Sequence, residues 1–316
     1  MQKRKLGRTD LAVAPVVFGA NVFGWTADKK TSFDLLDRFT GAGLNAIDTA
    51  DVYSSWAPGN QGGESETIIG EWIKARGARN SVTIITKVGM EMGPDKKGLS
   101  ASYIEAAVEA SLKRLQVETI DLYLSHKPDD ATPHEETLGA YQKLIAAGKI
   151  RWCGASNFSA EQLSAALAAS AGNGLPRYEV LQPEYNLYDR ASYDGPLRNL
   201  CMAQELGVIT YFSLAKGFLS GKYRSEADLG KSPRGQGVKA YLNPRGLRIL
   251  AALDGLAASY KVAPADIALA WLIARPGVSA PIASATSLPQ LESLIRSATL
   301  VLSDRDIAAL DEASAG

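Results

Sequence analysis

The feature that most constrains the fold of this chain is a repeated alternation of short apolar runs with longer amphipathic segments, from Pro15 to about Leu300. This alternation predicts strands and helices in turn, and therefore a parallel sheet, because neighbouring parallel strands need a long crossover between them. Eight strands are predicted, at Val16–Gly19, Ala46–Asp48, Thr83–Thr86, Ile120–Leu124, Ile150–Gly154, Val180–Gln182, Val208–Tyr211 and Val278–Ile282. Helical periodicity is clearest at Ser32–Thr40, Glu64–Lys74, Ser102–Leu115, Glu135–Ala146 and Glu161–Ala169.

The number of strand-helix units favours a closed (β/α)8 TIM barrel over an open, doubly wound α/β sheet. An open sheet that binds a dinucleotide carries Gly-x-Gly-x-x-Gly after its first strand, whereas this chain has Gly19-Ala-Asn-Val-Phe-Gly24 there. That hexapeptide has the glycine spacing of a phosphate-binding loop, but Trp25-Thr26 follows in place of Lys-Ser or Lys-Thr. The sequence therefore lacks the best motif for phosphoryl transfer.

Several segments depart from the bare repeat. Leu6–Val13 predicts a short β-hairpin ahead of the first strand, and Leu247–Tyr260 and Asp304–Glu312 predict extra C-terminal helices. The stretch from Leu219 to Pro244 is rich in Gly, Pro, Lys and Arg and predicts a long functional loop after the seventh strand, where barrel enzymes bind phosphates or close over ligands. Residues 1–316 are predicted to form one barrel domain, since this length is ordinary for the fold.

Charge and cysteine content exclude several classes of protein. The 34 basic residues balance the 34 acidic ones, so we expect no nucleic-acid partner, and no apolar run approaches the ~20 residues needed to cross a membrane. Lys3–Lys5 followed by Leu11–Phe18 superficially resembles a secretory signal, but turn residues at Gly7–Asp10 interrupt it. Cys153 and Cys201 lie among apolar residues and indicate neither a disulfide framework nor a metal site, so we expect a metal-free protein of the reducing cytoplasm.

Four polar side chains lie at or just beyond the ends of predicted strands. Asp48 ends the second strand, Lys87 the third and His126 the fourth, and Tyr53 follows Asp48 in the next loop. The carboxyl ends of the strands meet at one face of a (β/α)8 barrel, and the active sites of such barrels are built there. Each residue alone has an ordinary structural explanation, but together, on three adjacent strands, they predict a catalytic site.

The chemistry of these four residues is complementary. A carbonyl that receives hydride at carbon must receive a proton at oxygen, and Tyr53 can give it if its pKa, ordinarily near ~10, is brought toward the working pH. A buried Lys87 ammonium beside Tyr53 would do this, and Asp48 would keep that ammonium charged. A neutral His126 would hydrogen-bond the carbonyl oxygen and orient it.

Five motifs, in the order of the chain, carry a resemblance to a known family. They are Asp48-Thr-Ala-Asp-Val-Tyr53, Gly63-Glu-Ser-Glu66, Thr86-Lys87, Asp121-Leu-Tyr-Leu-Ser-His126 and Gly154-Ala-Ser-Asn-Phe158. With this ordered set the chain resembles the aldo-keto reductases over nearly its whole length. The resemblance implies reversible, NAD(P)H-dependent reduction of small-molecule aldehydes and ketones to alcohols, with Tyr53 as proton donor and Asp48, Lys87 and His126 completing a catalytic tetrad.

The resemblance also implies where a nicotinamide cofactor binds. Ser156, Asn157 and Gln182 correspond to residues that hydrogen-bond the carboxamide, and Tyr211 to an aromatic ring that stacks on nicotinamide, with ordinary core packing as the alternative. The run from Ser213 to Lys222 resembles the family's pyrophosphate loop, whose small residues let backbone N–H groups approach an anion. Further contacts expected here and after the first strand are Gly19, Ser213, Leu214, Lys216, Gly217, Leu219, Gly221 and Lys222.

The adenosine end departs from the commoner family pattern. Thr286 stands where many relatives place an arginine against the 2′-phosphate of NADPH, and Ser293-Leu294 replace a pair that often holds adenine. Ser287 is predicted to cap the following helix, whose N-terminus is a ready site for an anion. We expect NADPH as the cofactor, with NADH as the alternative. The candidates for binding this end are Ser284, Thr286, Ser287 and Gln290.

Aromatic residues near the expected mouth of the site indicate the kind of substrate. Phe23 and Trp25 lie in the first loop, and Trp56 follows Tyr53. Such surface predicts an apolar or ring-bearing carbonyl compound.

Two other functions stay open at this point. A strand-end Lys87 suits a Schiff-base aldolase, although an ammonium paired with Asp48 is a poor nucleophile. A redox-sensing regulatory subunit that holds NADP(H) and turns over slowly, which some members of the family resemble, would share the same site.

Overall fold

The computed structural model describes residues 2–315, in which a short hairpin precedes a closed barrel of eight parallel strands. The hairpin strands are β1 (Arg4–Lys5) and β2 (Ala12–Val13). The barrel strands are β3 (Val17–Gly19), β4 (Ala46–Asp48), β5 (Thr83–Val88), β6 (Ile120–Ser125), β7 (Ile150–Ser156), β8 (Val180–Gln182), β9 (Gly207–Thr210) and β10 (Ala280–Ala283). Each barrel strand pairs with the next along the chain, and β10 closes the ring by pairing with both β9 and β3. The predicted (β/α)8 barrel is confirmed.

Helices connect the strands and surround the barrel. They are α1 (Lys29–Gly41), α2 (Glu64–Arg76), α3 (Ala101–Leu115), α4 (His134–Ala146), α5 (Ala160–Asn173), α6 (Pro196–Ala203), α7 (Pro244–Tyr260), α8 (Pro264–Ala274), α9 (Leu288–Ser297) and α10 (Asp304–Ser314). The extra helices are α7 and α10, which pack on each other. In the described residues no single helix is both long and apolar enough to span a membrane, and α7 with α8 meets those criteria only as a pair bent by 97°.

Two apolar layers hold these elements together. One fills the inside of the barrel, with Val17, Ile85, Leu122 and Ile209 among its members, and Leu11 of the hairpin packs against it. The second, larger layer lies between the strands and the surrounding helices. Because side chains fill the barrel interior, ligands have room only beyond the strand ends, and the active sites of this architecture occupy the carboxyl ends.

The hairpin starts earlier in the chain than the predicted Leu6–Val13. Arg4 is paired with Val13 and Lys5 with Ala12, so the residues between form the turn. Gly7 in that turn has a φ of 58°, and a Cβ at this position would lie 2.5 Å from the backbone nitrogen of Gly207. Apolar alternation could not indicate β1 because both of its residues are basic.

The stretch predicted as a long loop, Leu219 to Pro244, is not structureless. It continues from a 3-10 turn at Ala215–Ser220 into two further 3-10 segments, Glu226–Lys231 and Gly235–Tyr241. Leu229, Val238 and Tyr241 are buried in the outer apolar layer. Short 3-10 turns lack the 3.6-residue periodicity by which helices are recognised in sequence, so the prediction missed them.

The predicted functional residues lie at the carboxyl ends of the strands with small shifts. Asp48 and Gln182 are the last residues of β4 and β8, and β5 extends past Lys87 to Val88. His126 follows the end of β6. Tyr211 follows β9 rather than ending it, and its backbone N–H donates to the carbonyl of Pro183.

Candidate active site

A cavity of about 720 Å³ opens at the carboxyl ends of the strands. One end is lined by Asp48, Tyr53 and His126, and the other by Thr286 and Arg296. The predicted site residues that line it are Gly19, Asp48, Tyr53, Trp56, His126, Ser156, Asn157, Gln182, Tyr211, Ser213, Leu214, Lys216, Gly217, Lys222, Ser284, Thr286 and Gln290.

Lys87 is the centre of the hydrogen-bond network at the first end. The side chain is 0% exposed and lies beneath the cavity wall. Its Nζ is 2.8 Å from Asp48 Oδ2, 3.0 Å from Tyr53 Oη and 2.7 Å from the carbonyl oxygen of Thr49. An ammonium has three N–H donors, so each donor of Lys87 has an acceptor. The lysine is thereby fixed against the phenol oxygen.

Asp48 connects this network to β8. Its Oδ2 also accepts from the Tyr53 hydroxyl at 3.3 Å, and its Oδ1 accepts from Gln182 Nε2 at 2.8 Å. One N–H of the Gln182 amide, expected to bind a cofactor carboxamide, is therefore committed to Asp48. Its second N–H and its amide oxygen remain for a ligand.

The acid-base properties of the pair differ from the sequence expectation. Burial, followed by the Asp48 charge, raises the pKa of Tyr53 well above its ordinary value. Burial lowers the pKa of Lys87, and the carboxylate of Asp48 opposes that change. Exclusion of water thus outweighs the expected lowering of the phenol pKa by Lys87. Tyr53 is held as the protonated phenol, the form that can donate a proton.

His126 faces Tyr53, with the ring centroids 6.0 Å apart. Burial lowers the pKa of His126 well below its ordinary value, and the charges of Lys87 and Lys127 act in the same direction. The imidazole is therefore neutral. Its Nδ1 is buried without a hydrogen-bond partner in residues 2–315.

A second group of buried ionisable side chains lies near Lys87, outside the cavity lining. Glu66, fully buried, accepts from Thr86 Oγ1 at 2.6 Å and from Arg114 Nε at 2.6 Å. Asp51 is also buried, yet neither of its carboxylate oxygens has a hydrogen-bond partner among the described residues. Burial, and next the charge of Glu66, raises the pKa of Asp51 to about 8. Asp51 is therefore a neutral carboxylic acid at pH 7.

The amide and hydroxyl groups expected at a nicotinamide ring converge beside His126. Asn157, whose φ is 63°, donates from Nδ2 to the carbonyl oxygen of His126 at 2.8 Å. The Tyr211 hydroxyl donates to Asn157 Oδ1 at 2.6 Å, and Ser156 Oγ donates to the carbonyl oxygen of Gln182 at 2.8 Å. Tyr211 is thus anchored by its hydroxyl while its ring lines the cavity.

The segment after β9, which was predicted to bind a pyrophosphate, contains a run of left-handed backbone. Ala215, Lys216 and Gly217 are consecutive residues with φ of 47°, 57° and 100°. Left-handed backbone is strained for residues other than glycine. The N–H groups of Ala215 and Gly217 donate to the carbonyl oxygens of Phe212 and Leu214, so they close this turn. The ammonium groups of Lys216 and Lys222 line the same cavity.

At the far end, Gln290 organises the start of α9. Its Oε1 accepts from the Thr286 backbone N–H at 2.9 Å and from Thr286 Oγ1 at 3.2 Å. Ser284 Oγ donates to Asn21 Oδ1 at 2.7 Å, and a Cβ added to Gly19 would lie 2.7 Å from this Oγ. Ser287 occupies the N-cap position, but its side chain makes no capping hydrogen bond and lies outside the cavity lining.

Several predicted ligand contacts lie elsewhere. Phe23 is fully buried against Phe18, so its ring belongs to the core rather than the substrate loop. Leu219 is likewise buried in the core, and Gly221, with φ of 78°, ends a 3-10 turn beside Pro264. Trp25 is outside the lining but packs edge-on against Trp56, which is 47% exposed at the mouth.

Two arginines that sequence reasoning missed line the cavity. Arg234 lies over the ring of Trp25, with its guanidinium carbon 5.2 Å from the centroid, and its buried Nη2 has no hydrogen-bond partner among residues 2–315. Its positive charge acts to lower the pKa of Tyr53, against the stronger effect of burial. Arg296 lines the opposite end. The basic composition of the segment around Arg234 could have indicated a ligand-binding residue there. The residues next to Arg296 in the sequence give no such indication.

The comparisons with known proteins agree with this geometry. The Aldo/keto reductase family profile matches residues 15–315. A probable voltage-gated potassium channel subunit beta of Arabidopsis thaliana is 33% identical over 309 residues, covering 95% of this chain and 92% of that protein. Aldo-keto reductase YhdN of Bacillus subtilis is 34% identical over 283 residues, covering 87% and 81%. Aldo-keto reductase yakc of Schizosaccharomyces pombe, whose name specifies NADP(+), is 29% identical over 324 residues, covering 98% and 90%. The chain belongs to the aldo/keto reductase family.

Proposed function

We propose that this protein reversibly reduces the carbonyl group of small aldehydes or ketones with NADPH. The observation that carries the proposal is the Lys87 ammonium, which bonds the Tyr53 phenol and the Asp48 carboxylate at once, under the floor of a cavity. NADPH, when bound, supplies the hydride. The chain itself has to orient the carbonyl and deliver a proton.

Tyr53 is the proposed proton donor, because it lines the cavity and is a protonated phenol. Its raised pKa opposes release of the proton, so the step depends on stabilisation of the phenolate. As the proton leaves, negative charge develops on the phenol oxygen 3.0 Å from the Lys87 ammonium, which stabilises it. Asp48 holds that ammonium in place. Neutral His126 donates a hydrogen bond to the carbonyl oxygen and sets its position relative to Tyr53.

The residues along the cavity fit a dinucleotide. Amide and hydroxyl groups of Ser156 and Asn157 suit a carboxamide, and Tyr211 presents a ring beside them. The positive charges of Lys216 and Lys222, which line the cavity, suit a pyrophosphate. The name of the Schizosaccharomyces pombe relative supports NADP(H) as the cofactor.

The substrate is proposed to be an apolar or ring-bearing carbonyl compound. Trp56 is exposed at the mouth, and its ring centroid lies 6.0 Å from that of Tyr53 and 5.7 Å from that of Trp25. These rings present apolar surface next to the proton donor. The protein is proposed to act in the cytoplasm, where reduced nicotinamide cofactor is available.

A Schiff-base mechanism is disfavoured by the same geometry. A lysine attacks a carbonyl through a neutral amine with a free lone pair, whereas Lys87 is enclosed by Asp48, Tyr53 and Thr49 and lies beneath the cavity wall. A regulatory subunit with little turnover is the second candidate, supported by the likeness to plant proteins named potassium channel beta subunits.

The test is a panel of aldehydes, ketones and alcohols assayed with NADPH and with NADH side by side. We expect steady oxidation of NADPH with aromatic aldehydes, and Tyr53→Phe is expected to bind NADPH as the wild type does while losing at least about 100-fold in kcat. Near-normal turnover by Tyr53→Phe would refute the proton-donor role. Tight NADPH binding without turnover of any substrate would favour the regulatory function.

A further inference from the structure

The end of the cavity formed by α9 has an arginine, Arg296, although the position where many relatives have one is occupied by Thr286. Arg296 lines the cavity together with Thr286, Gln290 and Ser293. Its side chain is 48% exposed. A helical side chain leans toward the N-terminus of its helix, so the guanidinium of Arg296 extends back over the turn that contains Ser293.

The guanidinium is fixed from one side only. Its Nε donates to Asp266 Oδ2 at 2.8 Å, and Asp266 is fully buried at the start of α8. Ser293 Oγ bonds the other oxygen of the same carboxylate. Within residues 2–315, Nη1 and Nη2 of Arg296 have no hydrogen-bond partner, which leaves the paired N–H groups at the end of the side chain for a ligand. Arginine presents such a fork to phosphate in a bidentate way.

The charges around this end favour an anion. Two carboxylates on or next to α9 are each paired with an arginine. Asp266 is paired with Arg296, and Glu292 with Arg38, whose Nε lies 2.6 Å from Glu292 Oε1. The described residues that line this end include no acidic side chain. Such a side chain would accept hydrogen bonds from the two hydroxyls of the unphosphorylated ribose of NADH. The Asp266–Arg296 pair is neutral overall, so this end offers a phosphate the two terminal nitrogens of Arg296, and no unpaired carboxylate among the lining residues repels it.

We propose that Arg296 binds the 2′-phosphate of NADPH and so sets the preference for NADPH over NADH, in place of an arginine at position 286. This inference rests on the proposed function only in taking the cavity as a dinucleotide site. Asp266 is a positioning residue, because it holds Nε and directs the two terminal nitrogens of Arg296 into the cavity.

Binding measurements on the full chain by isothermal titration calorimetry test this without turnover. Arg296→Ala is expected to weaken NADPH and adenosine 2′,5′-bisphosphate roughly 10–100-fold, the effect of losing a charge-assisted pair of hydrogen bonds. NADH and 5′-AMP are expected to change by less than about 3-fold. Arg296→Lys, which keeps the charge without the fork, is expected to give an intermediate loss for the phosphorylated ligands alone.

The matched control is Arg38→Ala, which also breaks an ion pair on α9 but removes no cavity side chain. Its NADPH affinity is expected to stay within about 3-fold of the wild type. If Arg296→Ala does not fold because Asp266 loses its counter-ion, the double variant Asp266→Asn with Arg296→Ala gives the same comparison without a buried unpaired carboxylate.

Equal losses for NADPH and NADH, or unchanged NADPH affinity in Arg296→Ala, would overturn the inference. A wild type that reduces carbonyls but binds adenosine 2′,5′-bisphosphate no more tightly than 5′-AMP would overturn it while leaving the catalytic proposal intact. Arg296-dependent binding of the bisphosphate without any carbonyl reduction would support it and count against the catalytic proposal.

Discussion

Asp51 is predicted to make the free energy of unfolding fall as the pH rises, and Asp51→Asn is predicted to remove this contribution. The carboxyl is buried without a hydrogen-bond partner in residues 2–315, and its pKa is raised to about 8. In the unfolded chain it ionises near pH ~4. Between these values the folded state binds one more proton than the unfolded state, so stability falls as the pH rises.

The size of the effect follows from that difference in protonation. One proton changes the free energy of unfolding by about 1.4 kcal/mol for each pH unit, so the loss between pH ~5.5 and ~7.5 is about 3 kcal/mol. Asparagine has nearly the same shape as the neutral acid and does not ionise. For a chain of this length the difference in melting temperature between Asp51→Asn and wild type should grow by roughly 4 °C over the same interval.

The assay is thermal unfolding of the two proteins followed by circular dichroism in matched buffers. Asp95→Asn is the control, because it makes the same chemical change at an exposed position. Its difference from wild type should not vary with pH by more than about 1 °C. A constant difference for Asp51→Asn, or one that grows as the pH falls, would mean that Asp51 is ionised in the folded protein and that the reasoning is wrong.

Three further predictions concern the site itself. Lys87→Met should abolish carbonyl reduction. It should also lower the free energy of unfolding by about 3–5 kcal/mol, because Asp48 keeps a buried charge without its partner. Urea unfolding of this variant measures that loss of stability. The pH profile of kcat/KM should show no ionisation of His126 between pH ~6 and ~8, since burial lowers its pKa well below the ordinary value, and a limb near ~6.5 that disappears in His126→Gln would contradict this. Trp56→Ala should raise KM for aromatic aldehydes several-fold with little change in kcat, because Trp56 contributes surface rather than chemistry; equal losses in kcat and kcat/KM would place it in the catalytic step.

The barrel and the residues at its strand ends were predictable because they depend on local patterns. Asp48, Lys87 and His126 each follow an apolar run, and parallel strands bring their carboxyl ends to one face regardless of loop shape. The burial of Phe23 in the core was not predictable. Loop residues have no regular periodicity, so the sequence does not show which of their side chains point into the core and which point toward the cavity. The 3-10 turns after β9 have no periodic signal, and β1 has no apolar residue.

The positions of ionisable side chains around the site depend on tertiary packing, and local sequence patterns do not predict them. Asp51 lies inside the motif that gives the resemblance, yet its burial without a hydrogen-bond partner among the described residues has no signal in the local sequence. Arg296 stands far from any recognised motif, and in the folded chain it lines the cavity and is bonded to Asp266 of α8. The missing arginine at Thr286 argued against NADPH on sequence alone, and only the tertiary structure shows that another arginine lines the same cavity.

NADPH bound in the cavity is proposed to transfer hydride to a carbonyl carbon while Tyr53 supplies the proton to the carbonyl oxygen. The most direct measurement is reduction of benzaldehyde with NADPH that carries deuterium at both hydrogen positions of the nicotinamide C4 atom, with the product analysed by mass spectrometry and NMR. We predict one deuterium on the carbinol carbon of the alcohol from the wild type and at least about 100-fold less product from Tyr53→Phe at equal cofactor occupancy. Alcohol without deuterium at that carbon, or equal deuterated product from both proteins, would contradict the account.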